Sequence, residues 1–192
     1  MIEMVFASQN KKKTEEMQAL LAPEYKILNL ADIGCMADIP ETGISFAENA
    51  ALKTAYIKTH YKLDGFADDS GLEVEVLNGE PGIYSARYAG ARGDVLNMEF
   101  LLNKMAGIAN RRANFTCAIS LQFRGEAYLF EGKVFGNLLT APRGKAGFGY
   151  DPIFVPEGYA QTFAEMDATE KNKISHRALA VAKLRDFLKA QV

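Results

Sequence analysis

Short apolar runs alternate with amphipathic stretches along this chain, and the alternation predicts strands interleaved with helices. Residues 2–7 are apolar and end at the polar Ser8-Gln9-Asn10, which predicts a buried strand. The polar run from Lys11 to Glu16 then opens a helix with Met17, Leu20 and Leu21 on one side. Strand, loop and helix together make the first half of a βαβ unit. Residues 25–30 predict a returning strand. Ser45 precedes a helical pattern from Phe46 to about Tyr61, and Glu48 stands at the spacing of a capping box. Phe66-Ala67-Asp68 reads as a strand ending in acids, Leu72 to Leu77 as another, and Asn78 to Gly82 as a turn.

A helix from about Asp94 to Met105 comes next. Phe115, Cys117, Ile119, Leu121 and Phe123 alternate with Thr116, Ala118, Ser120 and Gln122, the signature of a half-buried strand. Arg124-Gly125-Glu126 turns it into a partner strand through about Phe135. Residues 142–158 read as a loop rich in glycine and proline. Ile174, Ala178, Val181, Leu184 and Leu188 form one apolar stripe on a C-terminal helix that starts near Ser175. The pattern as a whole predicts an α/β fold with a mixed sheet, in a single domain over residues 1–192.

Composition narrows the function. The hydrophobic fraction of 48% suits a globular core, and the net charge of −2 argues against a polyanion such as duplex DNA as the partner. No aromatic–basic interleave suggests a nucleic-acid module. A small anion remains possible if a few basic residues converge. Cys35 and Cys117 lie far apart without metal-ligand spacing, which predicts two reduced cysteines. Met1 to Phe6 is too short and too quickly polar for a signal peptide, and no apolar run nears the ~20 residues of a membrane span. The expected location is cytoplasmic.

Several stretches carry candidate chemistry. A strand-to-helix loop, Ser8-Gln9-Asn10, followed by Lys11, Lys12 and Lys13, offers backbone N–H groups, the positive end of a helix and three charges to a triphosphate. It lacks the glycines of a Walker loop, and a plain helix cap with solvated lysines competes with the phosphate reading. Asp68-Asp69-Ser70-Gly71 is more telling, since adjacent carboxylates raise each other's pKa unless a cation compensates. Mg²⁺ would do so while also taking phosphate oxygens, and Asp69 would hold the metal, activate water, or both. Glu41, an ordinary loop glutamate taken alone, could be a second acid for that ion, and Lys53, two turns along its helix from Phe46, could reach a phosphate, with a plain surface lysine as the competing reading. Glycines around Phe148 and Tyr150, with Gly149 between them, could leave aromatic faces open to a planar base with Asp151 as hydrogen-bond acceptor, and a structural loop with two packed aromatics competes evenly with that reading. His176 falls off the apolar stripe and so is not an obvious core histidine; Arg177 and Lys171 stand near it in sequence.

Taken in order, Ala7-Ser8-Gln9-Asn10 with Lys13 and Glu16, Glu41-Thr42-Gly43 with Phe46-Ala47-Glu48-Asn49-Ala50, and Ala67-Asp68-Asp69-Ser70-Gly71-Leu72 resemble the inosine triphosphate pyrophosphatase family, the Ham1-type house-cleaning nucleotide hydrolases. Pro81-Gly82-Ile83-Tyr84-Ser85-Ala86-Arg87-Tyr88, Gly147-Phe148-Gly149-Tyr150-Asp151-Pro152-Ile153-Phe154 and Ile174-Ser175-His176-Arg177 extend the resemblance over nearly the whole chain. It implies an elongated mixed β-sheet flanked by helices, two lobes with a cleft between them, and usually a homodimer. The implied reaction is hydrolysis of ITP, dITP and XTP to the monophosphate and pyrophosphate with Mg²⁺. On this sequence, Ser8, Asn10, Lys13 and Lys53 would hold phosphates, and Glu41 and Asp69 the metal, with Asp69 as general base. Ser70 and Phe148 to Asp151 would contact substrate, and Lys171, His176 and Arg177 would line the base end. Gln9 and Lys12 stand where the family commonly has glycine, which would strain the loop were Gln9 to need positive φ.

Two rivals differ in their demands. Maf-type nucleotide pyrophosphatases also begin with a strand and an Ala-Ser loop, but continue Ser-Pro-Arg-Arg where this chain has Gln9-Asn10-Lys11-Lys12. A nucleotide sensor without catalysis would need no water-activating acid, and Asp69 with Glu41 argues against it.

Overall fold

The computed structural model describes residues 2–191. Six strands, β1 (Ile2–Phe6), β2 (Tyr25–Leu28), β3 (Gly65–Val74), β4 (Arg112–Phe123), β5 (Glu126–Leu138) and β6 (Phe154–Pro156), hydrogen-bond in the order β2-β1-β3-β4-β5-β6. β1 runs parallel to β2 and β3, and β6 antiparallel to β5, so the sheet is mixed. The helices are α1 (Lys11–Leu21), α2 (Phe46–Tyr61), α3 (Asp94–Lys104), α4 (Ala168–Ile174) and α5 (His176–Lys189). No described helix is long and apolar enough to cross a membrane.

The chain divides into two compact units. The first comprises the chain up to Asp69, Cys117–Gly132, and everything from Arg177 on; the second comprises Ser70–Thr116 and Lys133–His176. In the first, side-chain alternation along β1 and β3 sorts the core onto two faces. Met4, Phe6 and Phe66 pack with Met17 and Leu21 of α1 and with Val181, Leu184 and Leu188 of α5. Val5, Ala7 and Ala67 face the other way, with Ile57 of α2 and the loop residues Leu30, Cys35 and Ile39. The second unit has one aromatic-rich core, in which Phe115, Phe154 and Phe163 pack with Leu72, Val74, Leu101 and Tyr150.

Local signals set most boundaries. Ser45 caps α2, its hydroxyl accepting the N–H of Glu48 at 3.2 Å. The Glu48 carboxylate reaches back to the N–H of Ile44 at 2.9 Å, one residue beyond the capping-box partner. Arg124 and Gly125, with φ of 52° and 90°, make the two-residue turn between β4 and β5.

Three expectations need correction. β3 is one continuous strand, so the acid pair lies mid-strand and not at a strand end; only residues 75–77 leave it, as a 3-10 turn. β4 is buried on both faces from Phe115 to Leu121, because Thr116 and Ser120 find side-chain partners in Glu73 and Thr54. The C-terminal stripe is split: Ile174 ends α4, Ser175 is extended at φ −66° and ψ 153°, and α5 starts at His176.

Candidate active site

β1 feeds the chain into Ser8-Gln9-Asn10, and α1 begins at Lys11. Asn10 is the N-cap, its side-chain oxygen accepting the N–H of Lys13 at 3.2 Å, and Ser8 Oγ accepts the N–H of Asn10 at 3.2 Å. Gln9 is not among the residues with positive φ, so the loop needs no glycine there; its amide instead donates to the Ala37 carbonyl at 2.8 Å. The three lysines diverge. Lys11 and Lys12 are exposed, and Lys11 lines a groove with Ser8, Gln9, Thr14, Glu15 and Met36 that includes none of Glu41, Asp68 and Asp69. Lys13 turns inward to Asp68.

Alternation along β3 sends Asp68 and Asp69 to opposite faces. Asp68 points toward the α1 and α5 side. Lys13 Nζ lies 3.1 and 3.0 Å from its two oxygens, Arg177 Nη2 donates at 3.3 Å, and the Cys117 sulfur stands at 3.9 Å. Burial by itself would raise the Asp68 pKa, but Lys13, Arg177 and Lys53 outweigh it and hold the carboxyl well below the usual range. Cys117 moves the other way, its thiol pushed up to about 12 by burial and then by the Asp68 charge. That makes it an inert thiol.

Asp69 points toward α2, where Asn49 Nδ2 donates to its Oδ2 at 3.0 Å. Burial raises its pKa, the Lys53 and Lys13 charges lower it, Glu41 raises it again, and the net shift is upward. The buried face of α2 is Phe46, Asn49, Ala50, Lys53, Thr54 and Ile57, one stripe with three polar residues in it. Each has a partner on another element: Asn49 on Asp69, Lys53 on Glu41 at 2.7 Å, and Thr54 on Ser120 at 2.9 Å. Burial disfavours the Lys53 ammonium, but Asp68, Asp69 and Glu41 more than offset it and raise its pKa. It therefore stays charged.

Arg177 belongs with this group. Arg177 is 1% exposed and its guanidinium bonds Glu16 of α1 as well as Asp68, so it is a buried ion-pair partner and not an open donor at a base pocket. Sequence reading had no means of seeing this, because its two partners lie 161 and 109 residues away.

The second unit gathers the other candidates. Asp151 accepts from Lys171 Nζ at 2.8 Å and from the Phe148 N–H at 2.9 Å. Lys171, 6% exposed, also stands 5.2 Å from the Phe148 ring centroid, a cation–π distance. Phe148 and Gly149 are half-buried, as is Ser70, the first residue of this unit on β3. Tyr150 is a core residue, 3% exposed, with its hydroxyl donating to the Ser85 carbonyl at 2.9 Å; it offers no open aromatic face. His176 is likewise in the core: its ring lies flat on Phe115, 12° between planes and 4.8 Å between centroids. Falling off the α5 stripe did not expose it, because β4 packs against it at the start of the helix.

Asn49 is the residue that sequence reading passed over. Its signal was there: an asparagine at a buried position of an amphipathic helix requires a buried partner.

The Ham1 family profile matches residues 4–187. The chain is 50% identical to a dITP/XTP pyrophosphatase of Flavobacterium psychrophilum, over 98% of this chain and 100% of that one. It is 46% identical to a dITP/XTP pyrophosphatase of Christiangramia forsetii, over 97% and 99%. The solved Ham1 protein of Staphylococcus aureus superposes with a TM-score of 0.90 at 41% identity, over 99% of this chain and 100% of that chain.

Proposed function

Because this chain belongs to the Ham1 family, we propose that it is a nucleoside-triphosphate pyrophosphatase. It hydrolyses XTP, dITP and ITP to the monophosphate and pyrophosphate. The observation that carries the reading is the pair on β3, where one carboxylate is locked ionised and its neighbour is held with a raised pKa beside a second acid and two lysines. A carboxylate with raised proton affinity is the better general base near neutral pH.

Glu41 and Asp69 fit Mg²⁺. Glu41 adds to the upward push on Asp69, a repulsion that a cation relieves. Among the described residues no group of three or more His, Cys, Asp or Glu forms a ready-made cage. Mg²⁺ is commonly held by one or two carboxylates together with substrate phosphates, so two acids suffice. When bound, the ion supplies charge neutralisation to the leaving pyrophosphate. Asp69 orients a water and accepts its proton as the water oxygen bonds to the α-phosphorus and the bond to the β-phosphate oxygen breaks. Asn10, Ser8 and the helix N-terminus, with Lys13 and Lys53, hold the phosphates.

For the base we assign Phe148 as the stacking surface, with Lys171 beside it. Inosine and xanthine present a carbonyl at position 6, where adenine presents an amino group. A donor such as the Lys171 ammonium favours the carbonyl and leaves the adenine amino group badly paired. The chain acts as a single-domain enzyme, in a homodimer in the cytoplasm, on free nucleotides and not on nucleic acid or membranes.

The test is pyrophosphate release from XTP, ITP, GTP and ATP, each with Mg²⁺ and with EDTA. Fast release from XTP and ITP that EDTA abolishes is the expected result; equal rates on all four would remove the base assignment, and no release from any would remove the enzyme.

A further inference from the structure

The first unit contains a second-order device that rests on the reading of Asp69 as the base. Asn49 is completely buried and spends both ends of its amide. Its Oδ1 accepts the N–H of Gly43 at 2.8 Å, and its Nδ2 donates to Asp69 Oδ2 at 3.0 Å. Both ends demand this orientation independently, since a backbone N–H can only donate and an ionised carboxylate can only accept. Gly43 lies two residues after Glu41, so one side chain ties the base to the loop that carries the second acid. The fit there is close. A Cβ at Gly43 would come 2.6 Å from Glu48 Cβ and 2.9 Å from Asn49 Oδ1. One turn further along α2, Lys53 holds Glu41 itself at 2.7 Å.

We propose that Asn49 is a positioning residue: it fixes the rotation of the Asp69 carboxylate and the height of the Glu41 loop against one helix, so that the two acids keep one geometry. Holding Oδ2 sets where the other oxygen of Asp69 points, and misplacing a reacting group by about 1 Å can cost 10²-fold in rate.

Three variants separate the two arms, read by steady-state kinetics on XTP with Mg²⁺ and by thermal unfolding. Asn49→Leu removes both bonds at similar volume. It is expected to lower kcat about 100-fold while KM moves less than about 3-fold. Asn49→Asp keeps an acceptor for Gly43 but sets an acceptor against Asp69, and is expected to be as slow. Gly43→Ala leaves the Asn49 amide donor to Asp69 in place and pushes the loop off Glu48 and Asn49; a fall in kcat of about 10-fold is expected, with a lowered Tm in a protein that still folds. That loop variant carries the test if the helix variants fail to fold. A folded Asn49→Leu protein with wild-type kcat, or Gly43→Ala with both constants unchanged, overturns the proposal. A wild type inactive on XTP overturns the proposal together with the function it rests on, whereas active wild type with active variants overturns the positioning role alone.

Discussion

On the α1 and α5 side of β3, Asp68 meets Lys13, Arg177 and a thiol, whereas on the α2 side Asp69 accepts from the Asn49 amide with Lys53 and a second carboxylate in its field. One peptide bond separates the two acids, and burial disfavours the charge of both. The surroundings then decide. Lys13 and Arg177 make Asp68 a permanent anion whose role is to hold α1 and α5 on the sheet. Around Asp69, burial and Glu41 outweigh Lys53, Lys13 and Asn49, so this carboxylate retains affinity for a proton or a cation. A strand that alternates its side chains can thus place a structural acid and a reactive acid side by side without merging their roles.

Neutralising each acid in turn probes that difference most strongly. Asp69→Asn should lower XTP turnover by about 10³-fold, within the span attributed to general bases. Because burial already disfavours its charge, the amide should leave Tm at or above the wild-type value. Asp68→Asn strands Lys13 without its anion and leaves Arg177 with Glu16 alone, and should destabilise the fold by about 3–5 kcal/mol, measured by urea unfolding. If the two variants exchanged phenotypes, the assignment of roles would be reversed.

The first unit's device is electrostatic, and the second unit's is an aromatic ring beside one buried ion pair. Phe148→Ala should raise KM for XTP about 10-fold with kcat little changed, the size of one base–aromatic stack. Unchanged KM would take Phe148 out of the base site.

A smaller effect comes from Glu73, half-buried on β3 in the second unit. Burial opposes its charge, but Thr116, Asn114 and Lys133 outweigh it and lower its pKa below the ordinary 4.5. Its ionised form therefore stabilises the fold above pH 4.5, and that contribution fades as the pH falls through the lowered folded value. Glu73→Gln should be less stable than wild type at pH 7, with the gap in Tm closing in acid. A gap that widened in acid would contradict the direction of the shift.

The elements legible in the sequence are those with local causes. α2 was bounded by Ser45 and its apolar spacing, and the β4–β5 hairpin by alternation and Arg124-Gly125. The reading of β3 failed where the cause was not local. Two acids, a serine and a glycine resemble a strand end, and partners such as Lys13, Arg177 and Asn49, from three different helices, allow a strand to run through them. Residues of the candidate site follow the same division. The lysine loop and the acid pair stand out by composition, and Glu41 by the resemblance. The inward turns of Tyr150, His176 and Arg177 depend on Ser85, Phe115, Glu16 and Asp68, distant partners that no spacing reveals.

The most direct test of the central claim, water attack at the α-phosphorus, is hydrolysis of XTP in ¹⁸O-enriched water with mass spectrometry of both products. The account predicts one ¹⁸O atom in the monophosphate and none in pyrophosphate. Label in pyrophosphate, or release of orthophosphate in place of pyrophosphate, would contradict it.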